Sequence, residues 1–171
     1  MLSKTIAAAV QGIDATMVTI ETTLDWGNQV VIVGLPDTAV KESSERVRCA
    51  INEAGFQYPN KTVVVNMSPA DIKKEGAAYD LPIAIGTLAS DEVVKPDLLS
   101  RYMIMGELSL DGSVRSIKVV LTFHFTEIVG EIALRLCKFG SGVNHRGFEF
   151  SLAIEEVHHL RNVVNAIHLQ I

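Results

Sequence analysis

A chain of 171 residues with 48% hydrophobic and 20% charged side chains is long enough to bury one real core and too apolar to be disordered. Its formal net charge of -5, without a run of like charges, argues against duplex DNA binding by this domain alone, because such affinity rests on Lys and Arg neutralising phosphates. Cys49 and Cys137 lack metal-ligand spacing and suit free thiols in a reducing compartment, and the N-terminal apolar run is too short for a membrane span and is broken by Gln11 and Asp14. The expected location is therefore cytoplasmic, with no membrane partner.

Residues 4–10 and 17–24 read as strands, the second with period-two alternation. "QVVIVGLP" is a buried strand run ended by Gly34 and Pro36. A helix follows, with Asp37 as N-cap, Val40, Val47, Ile51 and Ala54 on one face, and Gly55 as its stop. Lys41 with Glu45, and Glu42 with Arg46, sit four apart and read as surface pairs of that helix. "KTVVVNMSP" is a β-branched strand closed by Pro69. The loop "KKEGAAYD" leads into a helix over "LPIAIGTLAS", which Asp80 is expected to cap and whose first turn accommodates Pro82. In "YMIMGELSLDGSVRSIKVV" two extended runs flank Asp111-Gly112, a pair that supports the positive φ angles of a tight hairpin. Beyond it, "TEIVGEIALRLCKF" reads as a helix, "GFEFSLAI" as a strand and residues 155–167 as a final helix, with Ala153, Val157, Leu160, Val164 and Ile167 on one face. With no repeat or linker, residues 1–171 form a single α+β domain, a mixed sheet with packed helices.

The loop Lys74-Glu75-Gly76-Ala77-Ala78-Tyr79-Asp80 is the candidate ligand or interaction site. Backbone N–H groups after Gly76 could face an anion, but neither G-x-x-x-x-G-K-[ST] nor G-x-G-x-x-G occurs, and Asp80 would repel the anion. A nucleophile needs Ser, Cys or Thr beside a base, and none lies between Gly76 and Leu81. Ser68 and Ser90 sit at element ends, where serine commonly bonds backbone. His158 and His159 are adjacent and diverge on a helix; His124 and His168 lack partners at metal-ligand spacing. Neither a catalytic residue nor a metal site is expected.

Three segments, "IVGLPDTAVKESSERVRCAINEAGF", "SPADIKKEGAAYDLPIAIG" and "GELSLDGSVRSIK", resemble the N-terminal domain of the ComM/YifB proteins, bacterial AAA+ ATPases of the magnesium-chelatase family. The resemblance covers residues 1–120, and 121–171 diverge. It implies a fold like the proteolytic domain of Lon (ribosomal-protein-domain-2-like), whose Ser-Lys dyad has its serine in a loop like "KDGPSAG". Laid over "KEGAAYD", that position is Ala78; the lysine position falls on Leu121, with Lys118 three residues out of register. Both dyad members are thus replaced, and the loop resembles a disused active-site loop. The family resembles hexameric ATP-driven motors for DNA branch migration in transformation, so the implied partners are an AAA+ domain of the same protein and neighbouring subunits, with weak DNA contact. ATP and Mg are implied only for the AAA+ domain, and no cofactor for these residues, which end before any Walker A. The chain is expected to be a piece of the N-terminal domain or the product of an interrupted gene. The leading expectation is a non-catalytic accessory or interaction domain; the alternative is a divergent hydrolase or a phosphate-ligand-binding domain using the Gly76 loop.

Overall fold

Alternating burial organises the sheet. In β4 (Thr62–Ser68), Val63, Val65 and Met67 are buried, while the residues between them are only partly covered, as a strand with one face on a core requires. The computed structural model describes residues 1–11, 14–115, 119–120, 149–150 and 159–169. It places β4 in a four-stranded sheet of order β1-β2-β4-β3, with β1 at Ser3–Gln11, β2 at Asp14–Asp25 and β3 at Val30–Val33. The pairs β1/β2 and β2/β4 are antiparallel and β3/β4 is parallel. The first two strands run longer than the alternation alone marks them.

A parallel pair needs a crossover, here supplied by α1 (Thr38–Glu53). Asp37 caps it as expected: its Oδ1 accepts the Val40 N–H at 2.8 Å. At the other end the Gly55 N–H bonds the Asn52 carbonyl and the Phe56 N–H bonds the Ile51 carbonyl, a Schellman closure. Val40, Val47, Ala50, Ile51 and Ala54 are buried.

Helix α2 (Asp80–Ser90) is buried at every residue and packs on β1, β2 and α1, the setting in which a helix is apolar all round. Pro82 has no N–H, so the Ala78 carbonyl lacks its usual partner one turn on. Gly106 supplies it: its N–H donates to Ala78 at 2.9 Å while its carbonyl accepts from the Leu81 N–H at 3.0 Å. Two serines fasten the far end of α2 to the sheet: Ser3 Oγ donates to the Gly86 carbonyl at 2.7 Å, and Ser90 Oγ donates to the Thr22 carbonyl at 2.7 Å.

The expected hairpin is present but looser than a two-residue Asp-Gly turn. Its strands, β5 (Glu107–Leu108) and β6 (Val114–Arg115), are short, and only Gly112 of the pair has positive φ. The turn runs from Ser109 to Ser113, whose backbones bond each other at 2.9 Å, and the Asp111 carboxylate accepts the Ser113 N–H. Val119–Val120 (β7) pairs antiparallel with Glu149–Phe150 (β8), inside the expected strand "GFEFSLAI". The last helix, α3, spans Leu160–Leu169, against the expected 155–167; residues 155–158 lie outside the described residues, as does the expected helix over "TEIVGEIALRLCKF". Leu160 and Val164 are buried, and the Leu160 N–H bonds the Gly112 carbonyl at 2.8 Å. His159 stands at the helix start, not inside the helix as a span of 155–167 would have it, and sets its Nε2 3.0 Å from the Asp111 carbonyl.

Gly34 closes β3 at φ +97°, and a β-carbon there would lie 2.0 Å from the Met67 carbonyl oxygen. Strain and overlap together predict that Gly34→Ala lowers stability by about 3 kcal/mol in urea unfolding, whereas a loss below about 1 kcal/mol would show that the two strands separate easily there.

Candidate functional site

The Gly76 loop is built from four internal contacts. Lys74, which the sequence presents as one charge among several, is fully buried. Its Nζ donates to the Gly34 carbonyl at 2.8 Å and to the Pro69 carbonyl, joining the ends of β3 and β4. Burial lowers the ammonium's pKa from its ordinary value, with Asp71 acting in the opposite direction. The Lys74 backbone pairs with the β3–α1 turn: its N–H bonds the Leu35 carbonyl at 3.2 Å and its carbonyl accepts the Asp37 N–H at 3.0 Å. Asp37 then reaches back, and its second oxygen accepts the Gly76 N–H at 3.2 Å. One carboxylate therefore caps α1 and fixes the loop.

Gly76 sits at φ +81°, ψ -179°, a region that essentially only glycine occupies. Ala77–Tyr79 form a 3₁₀ turn that runs directly into α2. Ala77 and Ala78 are partly covered; Tyr79 is buried, donates its hydroxyl to the Ala8 carbonyl at 3.2 Å, and has its pKa pushed up to about 12 by burial. Glu75 is exposed and pairs with Lys73 at 2.6 Å.

Asp80 is not the helix cap. It is the first residue of α2, the cap position falls on Tyr79, and the Asp80 carboxylate turns away from the helix end. Fully buried, it receives Arg46 Nε at 2.7 Å and Nη2 at 3.0 Å, a bidentate pair, and also the Leu108 N–H at 3.2 Å. Arg46 spends a further N–H on the Ala39 carbonyl. The Glu42–Arg46 surface pair is thus overruled, because a buried carboxylate without a cation is costlier than a lost surface contact. Glu45 pairs instead with Arg48 at 2.6 Å. Burial pushes the Asp80 carboxyl up, while Arg46 and the Leu108 N–H hold it down; the hydrogen bond to Asp80 raises Arg46. A guanidinium does not deprotonate in proteins, so Arg46 keeps its charge beside Asp80.

Chemically, this arrangement supplies rigidity. The Gly76 amide is already taken by Asp37, which competes with any incoming anion. The amine nearest the loop is committed to two carbonyls, and the Ala78 carbonyl to Gly106. Among the described residues no group of three His, Cys, Asp or Glu could hold a metal ion. Lys74 through Asp80 are brought together, whereas Leu121 and Lys118 lie outside the described residues. Sequence reasoning missed Arg46 and the second role of Asp37. Each had a sufficient local explanation, an i,i+4 pair and a cap, and no local pattern marks partners 34 and 39 residues away.

Two substitutions test this geometry. Asp80→Ala strands the partly buried guanidinium of Arg46 and leaves the Leu108 N–H without its acceptor, and should lower stability by about 3 kcal/mol, against the roughly 1 kcal/mol expected for a lost cap. Chemical denaturation with a double-mutant cycle against Arg46→Ala would show strong coupling; additive losses would refute the pair. Gly76→Val meets no atom within 4 Å of its β-carbon, so backbone strain alone should cost about 1–3 kcal/mol.

The chain's residues 20–133 match the family model for subunit ChlI of Mg-chelatase. The protein YifB of Escherichia coli (strain K12) is 44% identical over 110 residues, which are 64% of this chain and 22% of YifB. The competence protein ComM of Haemophilus influenzae is 43% identical over 114 residues, 66% of this chain and 22% of ComM. A Mycobacterium bovis protein is 37% identical over 121 residues, 70% of this chain and 24% of its own length. The chain therefore spans less than a quarter of the length of these relatives. Its matched residues include the whole Lys74–Asp80 loop and both of its anchors on α1, and by that match the chain belongs to the magnesium-chelatase ChlI family, with YifB and ComM among its relatives.

Proposed function

We propose that this chain is a non-catalytic accessory domain of a ComM/YifB-type AAA+ protein, with a Lon-protease-like fold, and that the Gly76 loop serves as structure or as an interaction surface. One observation carries the reading. Two charged groups of the loop are committed inside the protein, Lys74 to carbonyls and Asp80 to Arg46, Glu75 pairs at the surface with Lys73, and Ala77 and Ala78 offer neither hydroxyl nor thiol. Without a nucleophile there is nothing to acylate, and without a free amine there is no base beside it. The partners in this reading are the AAA+ domain of the same protein and neighbouring subunits in a cytoplasmic ring. ATP, Mg and DNA branch migration belong to the whole protein and not to these residues.

The chain should turn over neither casein nor activated esters, and a serine-directed probe should leave it unlabelled. Stoichiometric labelling at any serine would overturn the reading. Calorimetric titration should likewise detect no micromolar binding of ATP, since the phosphate-cradling loop and lysine of a Walker A are missing. In a full-length family protein, a photo-crosslinker in place of the residue matching Glu75 should capture the AAA+ portion or a neighbouring subunit; capture of neither would remove the interaction role.

A further inference from the structure

The two outer edges of the sheet differ. The edge of β1 is covered, because the Ile104 N–H bonds the Ile6 carbonyl at 2.7 Å and Met103 bridges to Ile6. Among the described residues, nothing pairs with the outer edge of β3 between Val30 and Val33. The Val63 N–H bonds the Gln29 carbonyl, which in a parallel ladder turns the polar groups of Gln29, Val31 and Val33 toward β4 and those of Val30 and Ile32 outward. Val31 and Val33 stand 39% and 44% exposed on the face away from the helices. None of the usual edge protections, a lysine, a proline or a bulge, occurs within this strand.

We propose that β3 pairs antiparallel with β3 of a second copy of this chain, about a two-fold axis at Ile32. The register is self-consistent. Ile32 meets Ile32 of the second copy as a hydrogen-bonded pair, using the outward N–H and carbonyl of each, and Val31 lies opposite Val33 of the second copy on the exposed face. Charge favours the same occupant. The chain carries a net charge of -5, so self-contact over charged surface is opposed, yet Asn28 through Leu35 contain no charged residue. A short edge gives a weak, concentration-dependent dimer. This inference goes beyond the accessory-domain reading and does not depend on it.

Sedimentation velocity from micromolar to millimolar concentration tests it. The chain should shift from its monomer mass of 18.6 kDa toward twice that value. Val31→Lys sets a lysine against the paired edge and should hold the chain at monomer mass with an unchanged circular dichroism spectrum. Ile32→Pro removes an N–H that the β3/β4 ladder does not use and should also give a folded monomer; if that variant does not fold, Val31→Lys decides alone. A wild-type chain that stays monomeric throughout overturns the proposal, as does a Val31→Lys chain, or a folded Ile32→Pro chain, that dimerises like wild type.

Discussion

The bidentate contact between Arg46 and the buried carboxylate of Asp80 sets the reference frame for everything around the candidate site. It ties the middle of α1 to the first residue of α2, and the same carboxylate holds the Leu108 N–H at the start of the hairpin. The start of α1 contributes Asp37, which grips Gly76. Both ends of the loop are thus measured from one rigid helix. An ion pair of this kind is weak evidence for net stability, because desolvation offsets much of its attraction. Its clearer effect is selective: any packing of α1 against α2 that separates the two groups leaves a charge without a partner.

Much of this fold is legible in the sequence because its signals are local. The alternation in β4, the Asp37 cap and the Gly55 stop each arise within a few residues and match the structure. Gly76 is legible for the same reason, since a glycine between charges and a helix start marks a special backbone angle. The loop's chemistry is not. Asp80 before an apolar run has the form of a cap, and Arg46 has a ready partner in Glu42 at helical spacing. Only the burial of Asp80 makes the long-range pair win, and burial is a property of the assembled layers. Lys74 misleads similarly: lysine is seldom fully buried, and backbone carbonyls that would receive it carry no sequence signature.

Apart from the exposed Glu75, the site is therefore rigid where its charges lie and plain where it meets solvent. Lys74, Asp37 and Asp80 hold the backbone from inside, and the outward part between Gly76 and Ala78 carries only small groups. Such a surface has shape fixed in advance and little chemistry of its own, which suits recognition by fit more than bond making. The two alanines also let another chain approach the backbone closely, since neither projects beyond a methyl group.

Pro82 has a consequence for the order in which the molecule assembles. The carbonyl it leaves open is closed by Gly106, and Asp80, two residues before the proline, waits for the Leu108 N–H, 28 positions downstream. The first turn of α2 cannot be completed by its own segment. Loop closure has to come first, so that turn forms together with the hairpin and not as an autonomous helix. On a ribosome, where the chain emerges from its N-terminus, α2 would stay frayed at its front until the residues around Gly106 were released.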